Sequence, residues 1–166
     1  MSDWSRPLDA HERALVDAAM EGARARYAGE GVPHRSCGIS LAETFQRRTA
    51  PYQALRKGGI TGRGECGTAL GGRMVLGELL GDPDPGGKTT VALREAVLDY
   101  EARWEARVGV VDGCRRCDHL MRSFEDFGGP ARKARCTGLA QQTAGLVAEV
   151  LVRHGHGVQL RGLAED

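Results

Sequence analysis

Long apolar segments are absent from this 166-residue sequence. No apolar run reaches the ~18 residues that a membrane-spanning helix requires. Residues 1–10 are polar and include two aspartates, so they lack the apolar stretch of a secretory signal. We therefore expect a cytoplasmic protein that has no membrane partner.

An excess of charge of one sign is also missing. The sequence has 23 Lys and Arg residues against 22 Asp and Glu residues, which leaves a formal net charge of +1 at pH 7. So small a net charge provides no overall field that would attract a polyanion. Nucleic acid is accordingly not an expected partner.

Aromatic residues are scarce, and runs of β-branched residues are short. The sequence contains three Phe, three Tyr and two Trp, whereas Ala, Leu, Glu and Arg are frequent, and this composition favours helices over strands. Helical spacing of apolar residues predicts helices over residues 8–27, from Ser36 towards Pro51, over residues 69–80, from Thr89 or Thr90 through Trp104, over residues 115–127 and over residues 134–153. We therefore predict an all-α protein, a compact bundle of five to six helices with Gly-rich connections.

The length of the chain fits one domain. We predict a single helical domain over residues 1–166, with a cysteine-containing core at about residues 36–151 and a loose C-terminal tail from about residue 155. A helical bundle with an apolar face can also form a homodimer.

Five cysteines need an explanation in a protein that we expect to be cytoplasmic. Cytoplasmic thiols are kept reduced, and a domain of this size does not require disulfide bonds for its stability. Metal binding, catalysis and redox exchange are therefore the competing uses of these side chains. A buried apolar role accounts for a single cysteine more readily than for all five.

Most of the cysteines lie at or beside the start of a predicted helix: Cys37, Cys66, Cys117 and Cys136. The free amides and the macrodipole of a helix N-terminus stabilise a thiolate and lower its pKa. We therefore expect these four thiols to favour the thiolate form, which is both the metal ligand and the nucleophile.

Cys114 and Cys117 form a CxxC pair, whose spacing lets both sulfurs face one metal or face each other. The sequence has no second CxxC at the spacing of a zinc ribbon. Asp118 separates Cys117 from His119, so the CxxCH pattern of c-type haem attachment is missed by one residue. The pair therefore supports neither a structural zinc knuckle nor covalent haem.

Two kinds of chemistry stay open on these residues. Four thiolates from four helix ends can hold an iron–sulfur cluster or another metal. Without a metal, the same thiols can work as a dithiol and disulfide couple. His34 and His119 lie near Cys37 and Cys117 in sequence and are candidates to complete a mixed ligand shell or to move a proton.

The Gly-rich segment, residues 58–64, has two interpretations. Consecutive glycine amides can bind a phosphate at a helix N-terminus, but the segment lacks the Gly-Lys-Ser/Thr ending of a P-loop. We favour the second interpretation, a close approach of the backbone to a neighbouring helix or to the cysteine site.

A cysteine pattern extends over most of the chain. It consists of Ser36-Cys37-Gly38, residues 58–71 around Cys66, residues 113–117 with Leu120, and Cys136. In order and spacing, residues 36–151 resemble the bacterial C_GCAxxG_C_C family of redox-active proteins. One difference is that Gly67 follows Cys66 here, whereas a glycine precedes the cysteine in the family motif.

The resemblance implies roles for individual cysteines. By this match the family's redox or metal cysteines are Cys37, Cys66, Cys117 and Cys136, and Cys114 is additional to them. Some relatives of the family look like parts of electron-transfer proteins. The resemblance therefore narrows the chemistry to redox or metal sites without naming a reaction.

The leading hypothesis is a redox protein that binds an iron–sulfur cluster or another metal centre, in electron transfer or a redox step, through Cys37, Cys66, Cys117 and Cys136. The first alternative is an oxidoreductase, a thiol-disulfide or sulfur-transfer enzyme with Cys114 and Cys117 as its catalytic pair and no metal. The second alternative is a metal storage or sensing module. The partner is accordingly a redox protein or a small-molecule substrate.

Overall fold

The computed structural model describes residues 3–163. Within that range the chain forms helices and no β-strand, so the predicted all-α fold is confirmed. The helices are α1 (Ala10–Ala28), α2 (Cys37–Thr44), a 3₁₀ helix (Ala50–Leu55), α3 (Gly67–Leu80), α4 (Val91–Val108), α5 (Cys117–Leu120) and α6 (Pro130–Arg153). No helix in the described part of the chain has the length and apolar character that a membrane crossing requires.

Helix α6 is the central element of the bundle and packs along α1 and α4. In the core between α4 and α6, the Trp104 indole N–H donates to Thr143 Oγ1 at 2.9 Å. Helices α2 and α3 pack against each other, and both also contact α6. The three helices that begin near or contain Cys37, Cys66 and Cys136 are therefore neighbours.

Several helix ends follow from local signals in the sequence. The Asp9 side chain accepts the Glu12 backbone N–H at 2.8 Å, and the Glu12 side chain accepts the Asp9 N–H at 2.9 Å. This reciprocal capping box starts α1, and Gly29 ends it in a left-handed conformation with φ of 78°. Thr90 caps α4 by accepting the Leu93 N–H at 3.1 Å.

Two predicted helices differ from the structure. The helix predicted over residues 115–127 is reduced to the four-residue α5. The Arg115 carbonyl accepts the Cys66 N–H at 2.7 Å, which keeps that residue outside the helix, and the chain turns after Leu120, where the Met121 carbonyl accepts the Phe124 N–H at 3.0 Å. Helix α6 begins at Pro130 and not at Ala134, since proline has the backbone angle of a first helical position. Cys136 consequently lies in the second turn of α6 and not at its start.

The segment after α6 contacts the helical core, although the sequence predicted a loose tail there. The Arg161 backbone N–H donates to the Thr44 carbonyl at 3.0 Å. The buried Arg26 guanidinium donates to the carbonyls of Arg161 and Gly162, at 3.1 Å each. These hydrogen bonds fix the tail beside the C-terminal end of α2.

Candidate functional site

Four of the five cysteines line one cavity, whose volume is about 230 Å³. They are Cys37, the first residue of α2, Cys66, the N-cap residue of α3, Cys117, the first residue of α5, and Cys136 in α6. All four are free thiols; Cys66 and Cys136 are buried, and Cys37 and Cys117 are partly exposed. The structure therefore brings together the same four cysteines that the family resemblance selects.

Cys114 lies outside this group. It is partly exposed on the connection between α4 and α5, where its backbone N–H donates to the Asp112 carboxylate at 3.2 Å. Its CxxC partner Cys117 lines the cavity, but Cys114 does not. The CxxC motif thus contributes one sulfur to the cavity.

Close packing between α2 and α3 brings Cys37 towards Cys66. A Cβ atom on Gly71 would lie 2.7 Å from the Gly38 Cα, and one on Gly67 would lie 2.8 Å from the Cys37 Cβ. Both distances are under 3.0 Å, shorter than real Cβ contacts, so these positions require glycine. The two helix starts can therefore approach each other only because they are built from glycine.

The backbone of Cys37 is itself strained. Its φ is 43°, in the left-handed region, which costs a residue with a side chain about 1–2 kcal/mol. Lys57, which also lines the cavity, has a φ of 49°. Strain of this kind persists only where surrounding contacts impose it, and it is common at functional sites.

The Gly-rich segment packs against Cys117, as the close-approach interpretation predicts. A Cβ atom on Gly58 would lie 2.5 Å from the Cys117 Cβ, and Gly58 has a φ of 59°. The Cys117 backbone N–H donates to the Gly64 carbonyl at 2.9 Å. The absence of a side chain at Gly58 therefore gives Cys117 its place at the cavity.

Arg115 fixes the same region to α4. Its carbonyl accepts the Cys66 backbone N–H at 2.7 Å, which joins the start of α3 to the segment before α5. Its guanidinium forms ion pairs with Glu101 and, at 2.9 Å, with Glu105. The start of α3, the segment before α5 and helix α4 are thereby held together beside the cysteines.

Burial makes these thiols harder to ionise than an ordinary cysteine. Loss of hydration is the main cause, and it raises the pKa of Cys37 to about 11, that of Cys117 to about 12, and that of Cys66 as well. Repulsion between neighbouring thiolates raises the three pKa values further. The expectation of thiolates at these three positions is therefore wrong, because burial outweighs the effect of the helix N-termini.

Hydrogen bonds to sulfur act in the opposite direction. The Lys57 backbone N–H lowers the pKa of Cys37, and the N–H groups of Thr68 and Ala69 lower that of Cys66. The Thr68 hydroxyl also lies 3.1 Å from the Cys66 sulfur. Two of the sulfurs are thus already surrounded by groups that stabilise a bound thiolate.

The arrangement does not fit a single metal ion. Thiolates around one tetrahedral ion, each at about 2.3 Å from it, would lie within about 4 Å of one another. Within residues 3–163, no three His, Cys, Asp or Glu side chains are placed to share such an ion. Four sulfur donors therefore line a cavity of about 230 Å³ without being placed to share one ion.

The two candidate histidines are placed differently. His34 lines the cavity, its Nδ1 is hydrogen-bonded to the Tyr27 carbonyl, and its ring meets the Tyr27 ring edge-on at 5.0 Å between centroids. His119 is not among the cavity residues, and its Nε2 lies 2.5 Å from the Asp112 carboxylate. Only His34 therefore lies beside the cysteines.

The cavity is also lined by three basic residues that we did not predict from the sequence, Arg56, Lys57 and Arg132. No Asp or Glu of the described chain lines the cavity with them. The Arg132 guanidinium is 3.7 Å from the Cys136 sulfur, one helical turn further along α6. That i,i+4 spacing was visible in the sequence and is the signal by which Arg132 was predictable.

Fold and site together define an all-α protein with a cavity lined by four cysteines. No family model, no curated protein and no solved structure matches the chain.

Proposed function

We propose that this protein is a cytoplasmic redox protein that holds an iron–sulfur cluster, for electron transfer or a redox step, through Cys37, Cys66, Cys117 and Cys136. The convergence of four cysteines from four helices on one cavity carries this proposal. An apolar core role explains one buried cysteine, but it gives no reason for four of them to surround a cavity.

The protein's own groups have defined tasks in this proposal. A bound cluster would supply one-electron chemistry. The N–H groups of Lys57, Thr68 and Ala69 that are directed at the Cys37 and Cys66 sulfurs would stabilise negative charge on those ligands. Hydrogen bonds to ligand sulfur of this kind shift a cluster's reduction potential.

A metal-free function is the second candidate. It is supported by the four free thiols on one cavity, since a dithiol and disulfide couple needs two thiols at one site. In a thiol-disulfide or sulfur-transfer enzyme of this design, the reacting pair would come from the cavity, because Cys114 lies outside it. Within residues 3–163, no three His, Cys, Asp or Glu side chains are arranged to hold the single metal ion that a storage or sensing module would bind.

The experiment is an analysis of iron, acid-labile sulfide and visible absorption in protein purified without oxygen. We expect iron and sulfide in equal amounts, more than one of each per chain, and a broad visible band. Colourless protein without either element, whose cavity thiols oxidise in pairs, would refute the cluster proposal and favour the dithiol function.

A further inference from the structure

We infer that the cysteine cavity binds a small anionic ligand, a carboxylate or another oxyanion, through Arg56, Lys57 and Arg132. The inference rests on the proposed function in taking the cysteine cavity as the working site of the protein. It adds the charge class of the substrate that the site would take.

The charge of the cavity wall differs from that of the molecule. The whole chain has 23 basic and 22 acidic residues, whereas the cavity is lined by three basic side chains and by no described carboxylate. Arg56 and Lys57 are exposed and Arg132 is partly buried, whereas the buried Arg26 elsewhere in the chain is paired with Glu43 at 3.0 Å. Uncompensated positive charge in a partly enclosed cavity attracts an anion.

Two buried polar groups on the wall also lack partners. The Nε of Arg132 and the hydroxyl of Ser36 are buried and have no hydrogen-bond partner in the described chain. An N–H group can only donate, and a hydroxyl can donate as well. An oxyanion offers several acceptor lone pairs to donors of this kind.

Phe127 places the cations where the cavity meets solvent. Its ring lines the cavity and is 39% exposed. The Arg132 guanidinium carbon lies 4.3 Å from the ring centroid, and the Lys57 Nζ lies 6.0 Å from it. Both cations are therefore held at the entrance by the same aromatic ring, where they would meet an incoming anion first.

The test compares two alkylating reagents on the full-length, metal-free chain. Iodoacetate is an anion, and iodoacetamide is its neutral analogue. With either reagent the cysteine sulfur forms a bond to the CH₂ carbon, iodide leaves with the electrons of the C–I bond, and the thiol proton passes to the buffer. Both rates at one cysteine are proportional to the fraction of that cysteine present as thiolate. Their ratio is therefore independent of that fraction and reports the local charge.

Peptide mass spectrometry reads this ratio at Cys37 and Cys117 in the cavity and at Cys114 outside it. We expect the ratio of iodoacetate to iodoacetamide rates at the two cavity cysteines to fall about fivefold in Arg132→Gln and in Lys57→Gln. Arg132→Lys retains the charge and should keep most of the ratio. At Cys114 the ratio should not change in any variant.

Lys133→Gln is the matched control, because Lys133 is the exposed neighbour of Arg132 in α6 and does not line the cavity. It removes the same charge and should leave the ratio at the cavity cysteines unchanged. Inorganic sulfate should slow both reagents at those cysteines in the unmodified sequence, whereas chloride at equal ionic strength should not.

Two results would overturn the inference. One is a ratio at Cys37 and Cys117 that is the same in Arg132→Gln and Lys57→Gln as in the unmodified sequence. The other is a folded chain in which neither reagent reaches these thiols. The iron and sulfide analysis is a separate measurement. A chain without a cluster can still show the anion preference, and a chain that binds a cluster can lack it.

Discussion

Replacing Gly71 by alanine tests the contact that brings Cys37 beside Cys66. A Cβ atom at position 71 would lie 2.7 Å from the Gly38 Cα, which is backbone and cannot rotate away. The variant is expected to separate α2 from α3 by a few tenths of an ångström or more. Gly77→Ala is the control, because Gly77 is in the same helix and a Cβ atom there meets nothing within 4 Å.

The magnitude follows from the comparison of the two variants. Alanine stabilises a helix interior by about 0.5–1 kcal/mol relative to glycine, and this gain is common to both positions. Only Gly71→Ala also overpacks the core, which typically costs about 1–3 kcal/mol. We therefore expect Gly71→Ala to have a free energy of unfolding about 1–3 kcal/mol below that of Gly77→Ala.

Urea unfolding followed by far-ultraviolet circular dichroism measures both free energies. Equal slopes of the two transitions would show that the unfolded states are alike. Equal free energies of unfolding for Gly71→Ala and Gly77→Ala would refute the claim that glycine is required for the close contact of α2 with α3.

Two further predictions concern charged groups. Glu43→Ala should lower the free energy of unfolding by about 1.5–3 kcal/mol, since it removes a hydrogen-bonded ion-pair partner of the buried Arg26. Glu21→Ala at an exposed ion pair should cost at most about 1 kcal/mol, and equal losses in urea unfolding would contradict this. Hydrogen bonds from Arg6 lower the pKa of Glu12 from 4.5 to about 2, so the stabilisation is fully present above pH 4.5 and is lost as the pH falls towards 2. Glu12→Gln should flatten the stability profile between those values, and an unchanged slope would exclude this role.

The fold was predictable where local signals decide it. The capping pair Asp9 and Glu12 and the N-cap Thr90 mark their helix starts directly in the sequence. The length of α5 was not predictable in this way, because the hydrogen bond of Arg115 with Cys66 and the turn after Leu120 interrupt a segment whose apolar spacing is helical. The C-terminal tail was missed for another reason, since its anchor Arg26 lies on α1 and is distant in sequence.

The sequence shows the four cysteines of the candidate site as a pattern, but it does not show their surroundings. The cysteines are visible as a pattern, yet their approach depends on contacts such as that of Gly71 with Gly38, between helices that the sequence does not pair. The direction of the pKa shift of Cys37, Cys66 and Cys117 was predicted with the wrong sign, because a helix N-terminus is a local feature whereas burial is a property of the whole fold. The basic residue Lys57 was missed because nothing in its own neighbourhood links it to Cys37.

The iron content of five single Cys→Ser variants, purified without oxygen, tests most directly whether four cysteines act as one site. We expect Cys114→Ser to keep the iron content of the unmodified sequence. We expect a large loss in each variant of a cavity cysteine: Cys37→Ser, Cys66→Ser, Cys117→Ser and Cys136→Ser. Retention of iron in all four of these variants, or its loss in Cys114→Ser alone, would contradict the four-cysteine site.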